Sequence, residues 1–243
     1  MTWSARFFEV MGDVVTDEVL DKVRQNAPDG CFSSEDLNWI DSFITCDGTD
    51  VRAILMDRFG QSWPSVRAYH ACRPSNLDSY RDNGLRPQTA ADYKNSAIAI
   101  FYGELRVSKT DVLAEIDQID WSNYEEKVFF CLSYEWLRRK FSGCWERGSE
   151  ALYGLAVKLK ERCGRSDICS HIEQRGHPQI LECDVPASLI DSAYLRCLCG
   201  RIIAGSVQHR LDSSWAPEFS HLGIAIRRPM APDCIVGWHD PTQ

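Results

Sequence analysis

The first 64 residues carry apolar positions at helical spacing and no strand-like alternation. Three such patterns each follow a residue type that caps helices. The predicted caps are Thr16, Ser33 or Ser34, and Asp50. The first pattern places Val19, Leu20 and Val23 on one face, and we expect the third to end at Gly60. Residues 1–64 are therefore predicted to form a helical N-terminal segment, either a subdomain or a packed extension.

From residue 65 the pattern changes to short apolar and β-branched stretches separated by turn residues. The predicted strands are SVRAYHAC from residue 65, KVFFCLS from 127, QILECDV from 179, LGIAIRR from 222 and DCIVGW from 233. Helices are predicted between them, over residues 76–83, 111–119 and 150–163, the last capped by Ser149. The polar stretch 164–177 is predicted to be a loop. Without a regular strand–helix alternation, residues 65–243 are predicted to form an α+β domain.

Composition is that of a globular protein: 243 residues, 44% hydrophobic and 26% charged. The net charge of −8 argues against a surface that coats nucleic acid, although it allows a local basic groove. Because the apolar runs are too short to cross a bilayer and the N-terminus lacks a signal-peptide pattern, we expect a cytoplasmic protein with no membrane partner. Its eleven cysteines are then expected to be reduced thiols.

The cysteines allow two kinds of chemistry, zinc binding and nucleophilic catalysis. The residues 163–177 hold four side chains of the types that bind zinc, although the spacing lacks a C-x₂-C arm. These residues are Cys163, Cys169, His171 and His177. Alternatively, Cys72 follows His70 by two residues on one predicted strand, so a thiol and a base share a face. Cys131 is a second candidate nucleophile, and the competing interpretation is that these are core cysteines.

Several common catalytic motifs are missing. The sequence has no G-x-x-x-x-G-K-[ST], no G-x-G-x-x-G, no H-E-x-x-H and no G-x-S-x-G. These absences argue against a P-loop NTPase, a dinucleotide dehydrogenase, a zincin and an α/β-hydrolase.

One stretch resembles a known family. The residues AYHACRP from Ala68, followed by DSYRDNGLRP up to Pro87, combine a strand carrying a His, a small residue after it, a short helix and a Gly-Leu turn. This resembles the opening of the ADP-ribosyltransferase superfamily, which includes diphtheria-toxin-like and poly(ADP-ribose)-polymerase-like domains. VFFCLSYEWL, ILECDVP and GIAIRRPMAPDCIVGW follow in the order of later core strands. The resemblance covers residues 66–240, and Cys72 stands where Ser or Thr is usual.

The resemblance implies a split β-sheet core with flanking helices that binds NAD as a substrate. The implied reaction transfers ADP-ribose to a macromolecular acceptor, a protein or a nucleic acid, through an oxocarbenium-like state. The resemblance implies His70 for ribose binding and Ser133 or Tyr134 for the nicotinamide side. For the pyrophosphate, the chemistry of the guanidinium group makes Arg73 or the nearby Arg81 the expected partner.

The family resemblance also implies one catalytic glutamate, whose carboxylate would stabilise the positive charge. Glu218 has the expected chain order, whereas Glu150 lies in a Gly-Ser-Glu setting at a predicted helix start. The sequence leaves both open. Two other interpretations also remain: a catalytically inactive nucleotide-binding sensor or interaction module, and a zinc-stabilised binding protein that uses the 163–177 segment.

Overall fold

A computed structural model describes residues 14–26, 38–43, 45–46, 49–124, 126–140, 142–214 and 222–242. Within these residues the protein is α+β, with one five-stranded antiparallel sheet and helices on both of its faces. This agrees with the fold class that the sequence pattern predicts. In the described part of the chain, no helix combines the length and apolar character needed to span a membrane.

All five strands predicted from the sequence pattern are present in the sheet. A short two-stranded ribbon, β1 and β2, precedes them. The bounds are Thr45–Cys46 (β1), Thr49–Asp50 (β2), Ser65–Cys72 (β3), Val128–Cys131 (β4), Gln179–Pro186 (β5), Gly223–Ile226 (β6) and Ile235–His239 (β7). The order in the main sheet is β6-β4-β3-β5-β7, with every neighbouring pair antiparallel.

The helices fall before, between and after these strands. Their bounds are Asp17–Asn26 (α1), Asn38–Phe43 (α2), Val51–Ser62 (α3), Asp78–Asn83 (α4), Ala90–Ala97 (α5), Lys109–Ile116 (α6), Tyr134–Lys140 (α7), Ser142–Arg147 (α8), Glu150–Cys163 (α9), Asp167–Gln174 (α10) and Ser192–Leu211 (α11). A π-helix, Ile98–Glu104, directly continues α5. Three helical features are confirmed: Thr16 at the start of α1, the cap of α3 by Asp50, and the cap of α9 by Ser149.

The described part of the chain has two main apolar cores. One face of the sheet packs against α11, α3 and α1, so the N-terminal helices belong to the same buried cluster as the sheet. The second core joins α5, the π-helix, α6, α9 and α10. We call this second unit, residues 90–124 and 150–174, the helical lobe. Its two segments come before and after β4 in the sequence, and neither contributes a strand to the sheet.

The sheet is unevenly joined along its length. Strands β3 and β5 pair over eight positions, from Ser65 opposite Pro186 to Cys72 opposite Gln179. Strands β3 and β4 pair only at Tyr69 and Cys131. The sheet is therefore continuous in hydrogen bonding, but it consists of a β6-β4 part and a β3-β5-β7 part that meet at a single position.

Two predictions about the type of local structure are wrong. Residues 164–177 are not a loop, because α10 occupies Asp167–Gln174. Ile168, Cys169 and Ile172 have helical spacing and are buried in the helical lobe, so packing of this apolar stripe outweighs the polar composition. The N-terminal segment also contains strands, since the β1–β2 ribbon lies between α2 and α3.

The third N-terminal helix also ends later than predicted. Gly60 lies inside α3, which continues to Ser62. The helix ends there because Trp63 adopts an extended conformation before Pro64, and proline disfavours helical conformation in the residue that precedes it. The predicted helix start at Ser33 or Ser34 lies outside the described residues.

A glycine turn fixes the chain after α4. Gly84 has φ +69 and follows Asn83, where the sequence predicts that the helix ends. A Cβ atom there would overlap the carbonyl oxygen of Met230, which accepts a 3.0 Å hydrogen bond from the backbone N–H of Leu85. The Gly-Leu turn is thereby held against the segment that joins β6 to β7.

Candidate functional site

His70 lies where strands β3 and β4 separate. Its Nδ1 atom is 2.8 Å from the carbonyl oxygen of Phe129 on β4, and its ring centre is 5.7 Å from that of Phe130. Backbone pairing between the strands stops at Tyr69 and Cys131. The imidazole of His70 thus serves as a hydrogen-bond donor to β4 one residue beyond the last paired position of β3.

The protonation state of His70 follows from this contact. A carbonyl oxygen only accepts hydrogen bonds, so Nδ1 carries the proton and donates it. Burial lowers the pKa of His70, and the bond to the Phe129 carbonyl only partly opposes that effect. The ring is therefore neutral near pH 7, and Nε2 keeps a lone pair that can accept a hydrogen bond from a hydroxyl group.

Aromatic side chains cover the adjacent part of the sheet, on the face away from α11. The ring of Tyr134, the first residue of α7, lies 5.7 Å from that of Tyr69 and 5.1 Å from that of His239. Trp136 and Trp145 pack against the same small cluster, above Cys131 and Ile180 of the sheet. We call Tyr69, Tyr134 and His239 the aromatic trio.

The two residues implied for the nicotinamide side have different local roles. Ser133 precedes α7, and its hydroxyl oxygen accepts a 3.2 Å hydrogen bond from the backbone N–H of Trp136. The Ser133 hydroxyl hydrogen stays free to donate elsewhere. Tyr134 belongs to the aromatic trio and is half-buried. Tyr134 therefore lies beside Tyr69, whose side chain is on the opposite face of β3 from that of His70.

A chain of hydrogen-bonded polar groups continues from the aromatic trio across β3, β5 and β7. His239 Nε2 is 2.8 Å from Glu182 Oε2, and the other oxygen of Glu182 accepts a hydrogen bond from Arg67. Arg67 also binds both carboxylate oxygens of Asp184, at 2.6 and 3.2 Å. We call Arg67, Glu182, Asp184 and His239 the polar network.

Sequence reasoning missed this polar network, although one signal was present. In the otherwise apolar strand β5, Glu182 and Asp184 are two residues apart and so lie on one face. The pairing register places Glu182 opposite Tyr69 and Asp184 opposite Arg67. These contacts become visible only from that register and from the pairing of β7, which places His239 next to β5.

Arg73 holds backbone segments together. Its guanidinium donates to the carbonyl oxygens of Trp145, Glu146, Arg175 and Gly176 at 3.0 to 3.3 Å. Through these bonds, the residue that follows β3 joins the end of α8 to the segment after α10. Burial lowers the pKa of Arg73. These four contacts use all three nitrogens of the guanidinium group. They therefore compete with the pyrophosphate contact that the sequence predicts for Arg73 or Arg81.

Arg81 has a more open setting on α4. Its guanidinium lies 5.4 Å from the ring centre of Trp238 and 3.1 Å from the carboxylate of Asp78. The side chain is 59% exposed, so its remaining donors are accessible to a ligand from solvent. Of the two arginines predicted to pair with the pyrophosphate, Arg81 is the accessible one.

The two predicted catalytic glutamates are not brought together with His70 in the described residues. Glu150 is exposed in the first turn of α9, in the helical lobe. It shares no hydrogen bond or ion pair with His70 or the polar network in the part of the chain that the structure describes. Glu218 lies outside the described residues.

Burial opposes a nucleophilic role for the candidate cysteines. The thiol of Cys72 is buried and hydrogen-bonded to Tyr80, and burial raises its pKa to about 12. Burial also raises the pKa of the Cys131 thiol. Since the thiolate is the reactive form, neither environment activates the sulfur. All nine cysteines whose side chains the structure describes are free thiols.

The four residues of the zinc hypothesis do not meet. Cys163 ends α9 and Cys169 is buried on α10. His171 instead contacts Glu104 of the π-helix, with Nε2 3.0 Å from Oε2, and Arg175 binds the same carboxylate. Across the described ranges, no group of three or more His, Cys, Asp and Glu side chains is placed to hold a metal ion.

A shallow surface groove lies apart from these residues. It has a volume of about 560 Å³ and lies between α1 and the end of α11. Its lining is mostly charged, including Asp17, Asp21, Arg24 and Arg210, and none of the candidate catalytic, ligand-binding or zinc-binding residues lines it. We therefore place the candidate site at the β3–β4 junction, with the His70 side chain on the face of the sheet that packs against α11 and the aromatic trio and the polar network on the opposite face.

Comparison with known proteins gives no match: no family model fits the chain, and no curated protein or solved structure is significantly similar to it.

Proposed function

We propose that this protein is an NAD-dependent ADP-ribosyltransferase that modifies a macromolecular acceptor. The observation that carries the proposal is the position of His70 at the β3–β4 junction. Its Nδ1 is bonded to the Phe129 carbonyl, which leaves Nε2 to accept a hydrogen bond from a ribose hydroxyl. The near-separation of the sheet at Tyr69 and Cys131 supports the split core that the sequence resemblance implies.

The surrounding residues support NAD as the substrate. Tyr134 and Tyr69 offer neighbouring aromatic rings on the face of the sheet opposite His70, and aromatic rings stack on flat heterocycles such as nicotinamide. Ser133 has a hydroxyl hydrogen to donate. Arg81 is an accessible cation, and arginine suits a pyrophosphate because its planar donors match phosphate oxygens.

The reaction also needs a carboxylate that stabilises the oxocarbenium-like state. Glu150 and Glu218 remain the proposed candidates for this role. The acceptor is proposed to be a protein or a single-stranded nucleic acid. A net charge of −8 would confine nucleic-acid binding to a local basic groove.

The test is release of nicotinamide from NAD by the purified protein. We would incubate it with NAD labelled in the nicotinamide ring and offer a protein mixture and single-stranded nucleic acid separately. Acceptor-dependent release, with label from adenine appearing on one acceptor, supports the transferase. Arg81→Ala should weaken NAD binding while the melting temperature stays unchanged.

The same experiment separates the alternatives. NAD binding without nicotinamide release under any condition would favour the inactive nucleotide-binding sensor. No binding and no release would overturn the proposal. Zinc in the purified protein, measured by elemental analysis and lost together with stability on chelation, would favour the zinc-stabilised binding protein.

A further inference from the structure

A locally basic stretch follows strand β4 in a chain that is acidic as a whole. Residues 134–147 contain α7 and α8 and carry four basic and two acidic side chains, a net charge of +2, whereas the whole chain has −8. The basic side chains lie in the last turns of the two helices, and we call them the basic cluster: Arg138, Arg139, Lys140 and Arg147. Such a local excess of positive charge favours an anionic partner.

Most of the basic cluster is not neutralised by the protein itself. Within the described residues, Arg138, Lys140 and Arg147 form no ion pair. Arg139 pairs with Glu135 on the same helix, but these side chains are 70% and 59% exposed, so the pair is weak. The guanidinium of Arg138 makes no hydrogen bond in the described part of the chain, even at its buried Nε atom. A guanidinium without a partner is a strong donor to phosphate oxygens.

The other basic stretch of the domain, Arg227 and Arg228, is already engaged. Arg227 binds the carboxylate of Asp191, and Arg228 donates to the carbonyl oxygen of Ser188. Both arginines therefore connect the segment after β6 to the segment before α11. Of these two basic stretches, the one on α7 and α8 has cations left for a ligand.

Aromatic side chains alternate with the basic cluster. On α7, Tyr134 precedes Arg138 by four residues and Trp136 precedes Lys140 by four, so each ring shares a helix face with a cation. Trp145 of α8 donates its indole N–H to the carbonyl oxygen of Arg138 at 3.4 Å, which joins the two helices. All three rings pack on the face of the sheet away from α11 and stay only half-buried. Partly exposed rings thus lie among the cations of the cluster.

We infer that α7 and α8 form a binding surface for single-stranded nucleic acid. The phosphates bind the basic cluster, and unpaired bases stack on the aromatic rings between its members. Both features favour a single strand, since a duplex hides the faces of its bases and an anionic lipid surface has no flat rings to stack. The further step, that this strand is the acceptor of ADP-ribose, rests on the proposed transferase function.

The experiment measures binding without NAD, so that it does not depend on turnover. We would titrate the full-length protein into fluorescently labelled oligothymidylate and oligouridylate of about 20 nucleotides and follow the anisotropy at about 50 to 200 mM salt. The logarithm of the affinity should fall against that of the salt concentration with a slope of about −3, because each phosphate neutralised on a single strand contributes about −0.7. The same strand annealed to its complement should bind at least about fivefold more weakly, because its bases cannot stack on the protein.

A charge variant and a matched control test the basic cluster. Arg138→Gln combined with Lys140→Gln should weaken binding at least about tenfold at the lowest salt and bring the slope to about −1.4. The control combines Lys158→Gln with Lys160→Gln on α9 of the helical lobe, which changes the net charge equally. It should keep the wild-type affinity and slope. Equal weakening in both double variants would show attraction to the charge of the whole chain and would overturn the inference.

Trp136→Leu tests stacking separately from charge. It should weaken binding at least about fivefold with the salt slope unchanged, and Trp136→Phe should restore most of the affinity because it keeps a ring. Wild-type affinity in a folded Trp136→Leu protein would overturn the inference. Should that variant fail to fold, the two charge variants decide, since they change side chains on the surfaces of helices.

The outcomes separate this inference from the proposed function. No binding of either oligonucleotide at the lowest salt, or equally tight binding of the duplex or of vesicles containing phosphatidylserine, overturns the inference while a transferase that modifies proteins stands. Binding of the oligonucleotides without any nicotinamide release supports the surface and counts against the transferase. Transfer of the adenine label from NAD to an oligonucleotide, lost in the Arg138→Gln, Lys140→Gln variant, supports both.

Discussion

The imidazole of His70 bonds to the carbonyl oxygen of Phe129 across 2.8 Å, and it does so where two strands of one sheet stop pairing. The His70 side chain thus makes a hydrogen bond to β4 of the kind that backbone N–H groups make elsewhere in the sheet. The consequence is a ring with one nitrogen fixed in the fold and the other without a hydrogen-bond partner among the described residues. His70 is therefore both a structural and a candidate binding residue, and the two roles can be separated by mutation.

The first prediction separates these roles with two substitutions. His70→Ala removes both nitrogens, so it should abolish nicotinamide release and cost about 1–3 kcal/mol of stability through the unpaired Phe129 carbonyl. His70→Asn can keep a donor near the position of Nδ1 but has no counterpart of Nε2. It should regain most of the stability and none of the activity. Thermal melts and a nicotinamide assay check both, and wild-type turnover in His70→Asn would refute the assignment.

The second prediction concerns pH and stability. The pKa of His70 is lowered in the folded protein by burial, whereas an unfolded histidine binds a proton below about pH 6.5. The unfolded state then carries more protons, so the free energy of unfolding falls as the pH drops below that value. Urea melts at pH 7.5 and 5.5 measure the loss. It should be smaller in His70→Asn, and an equal loss in both proteins would contradict the prediction.

The third prediction concerns the catalytic carboxylate. One of Glu150→Gln and Glu218→Gln should lower turnover by at least about a hundredfold, corresponding to about 2.7–4 kcal/mol of electrostatic stabilisation. NAD affinity should change much less, since the carboxylate meets positive charge only in the transition state. Because Glu150 is exposed in the first turn of α9, its substitution should cost the helix about 0.3–1 kcal/mol. Wild-type turnover in both variants and in the double variant would show that neither is the acid.

The fourth prediction compares two arginines. Arg73→Lys removes a planar group that reaches four carbonyl oxygens, so it should destabilise the protein by at least about 2 kcal/mol. Arg81→Lys changes an exposed side chain whose ion pair with Asp78 is within one helix, and its cost should stay below about 0.5 kcal/mol. Denaturant melts of the two variants provide the comparison, and equal stabilities would show that the Arg73 contacts contribute little.

The fifth prediction concerns thiol reactivity. Burial raises the pKa of Cys72, Cys183 and Cys199 to about 12, while Cys197 is exposed. An alkylating reagent at pH 8 should modify Cys197 first and reach the three buried thiols only after unfolding. Mass spectrometry of digested protein at successive times resolves the order. Early modification of Cys72 in the folded state would revive the nucleophile hypothesis.

Local sequence predicted the five strands of the main sheet and part of the helices, whereas α5, α7, α8 and α11 were not predicted. The β-branched and aromatic content of SVRAYHAC predicted β3 with its observed bounds, and Ser149 predicted the start of α9. These predictions succeeded because strand propensity and capping depend on neighbouring residues. The same local signals failed at residues 164–177, where polar composition suggested a loop and an apolar stripe packed into the helical lobe made α10.

The sequence alone also pointed to His70, because the residues around it form a continuous motif. It did not reveal Glu182, His239 and Arg67 as neighbours, since these lie on three strands that are brought together only by the register of the sheet. Nor did it show that the Arg73 donors reach carbonyl oxygens up to 103 positions away along the chain. Contacts within one element are encoded by nearby residues, whereas contacts between strands depend on the packing of the whole chain, and here that packing alone decided which charged groups meet.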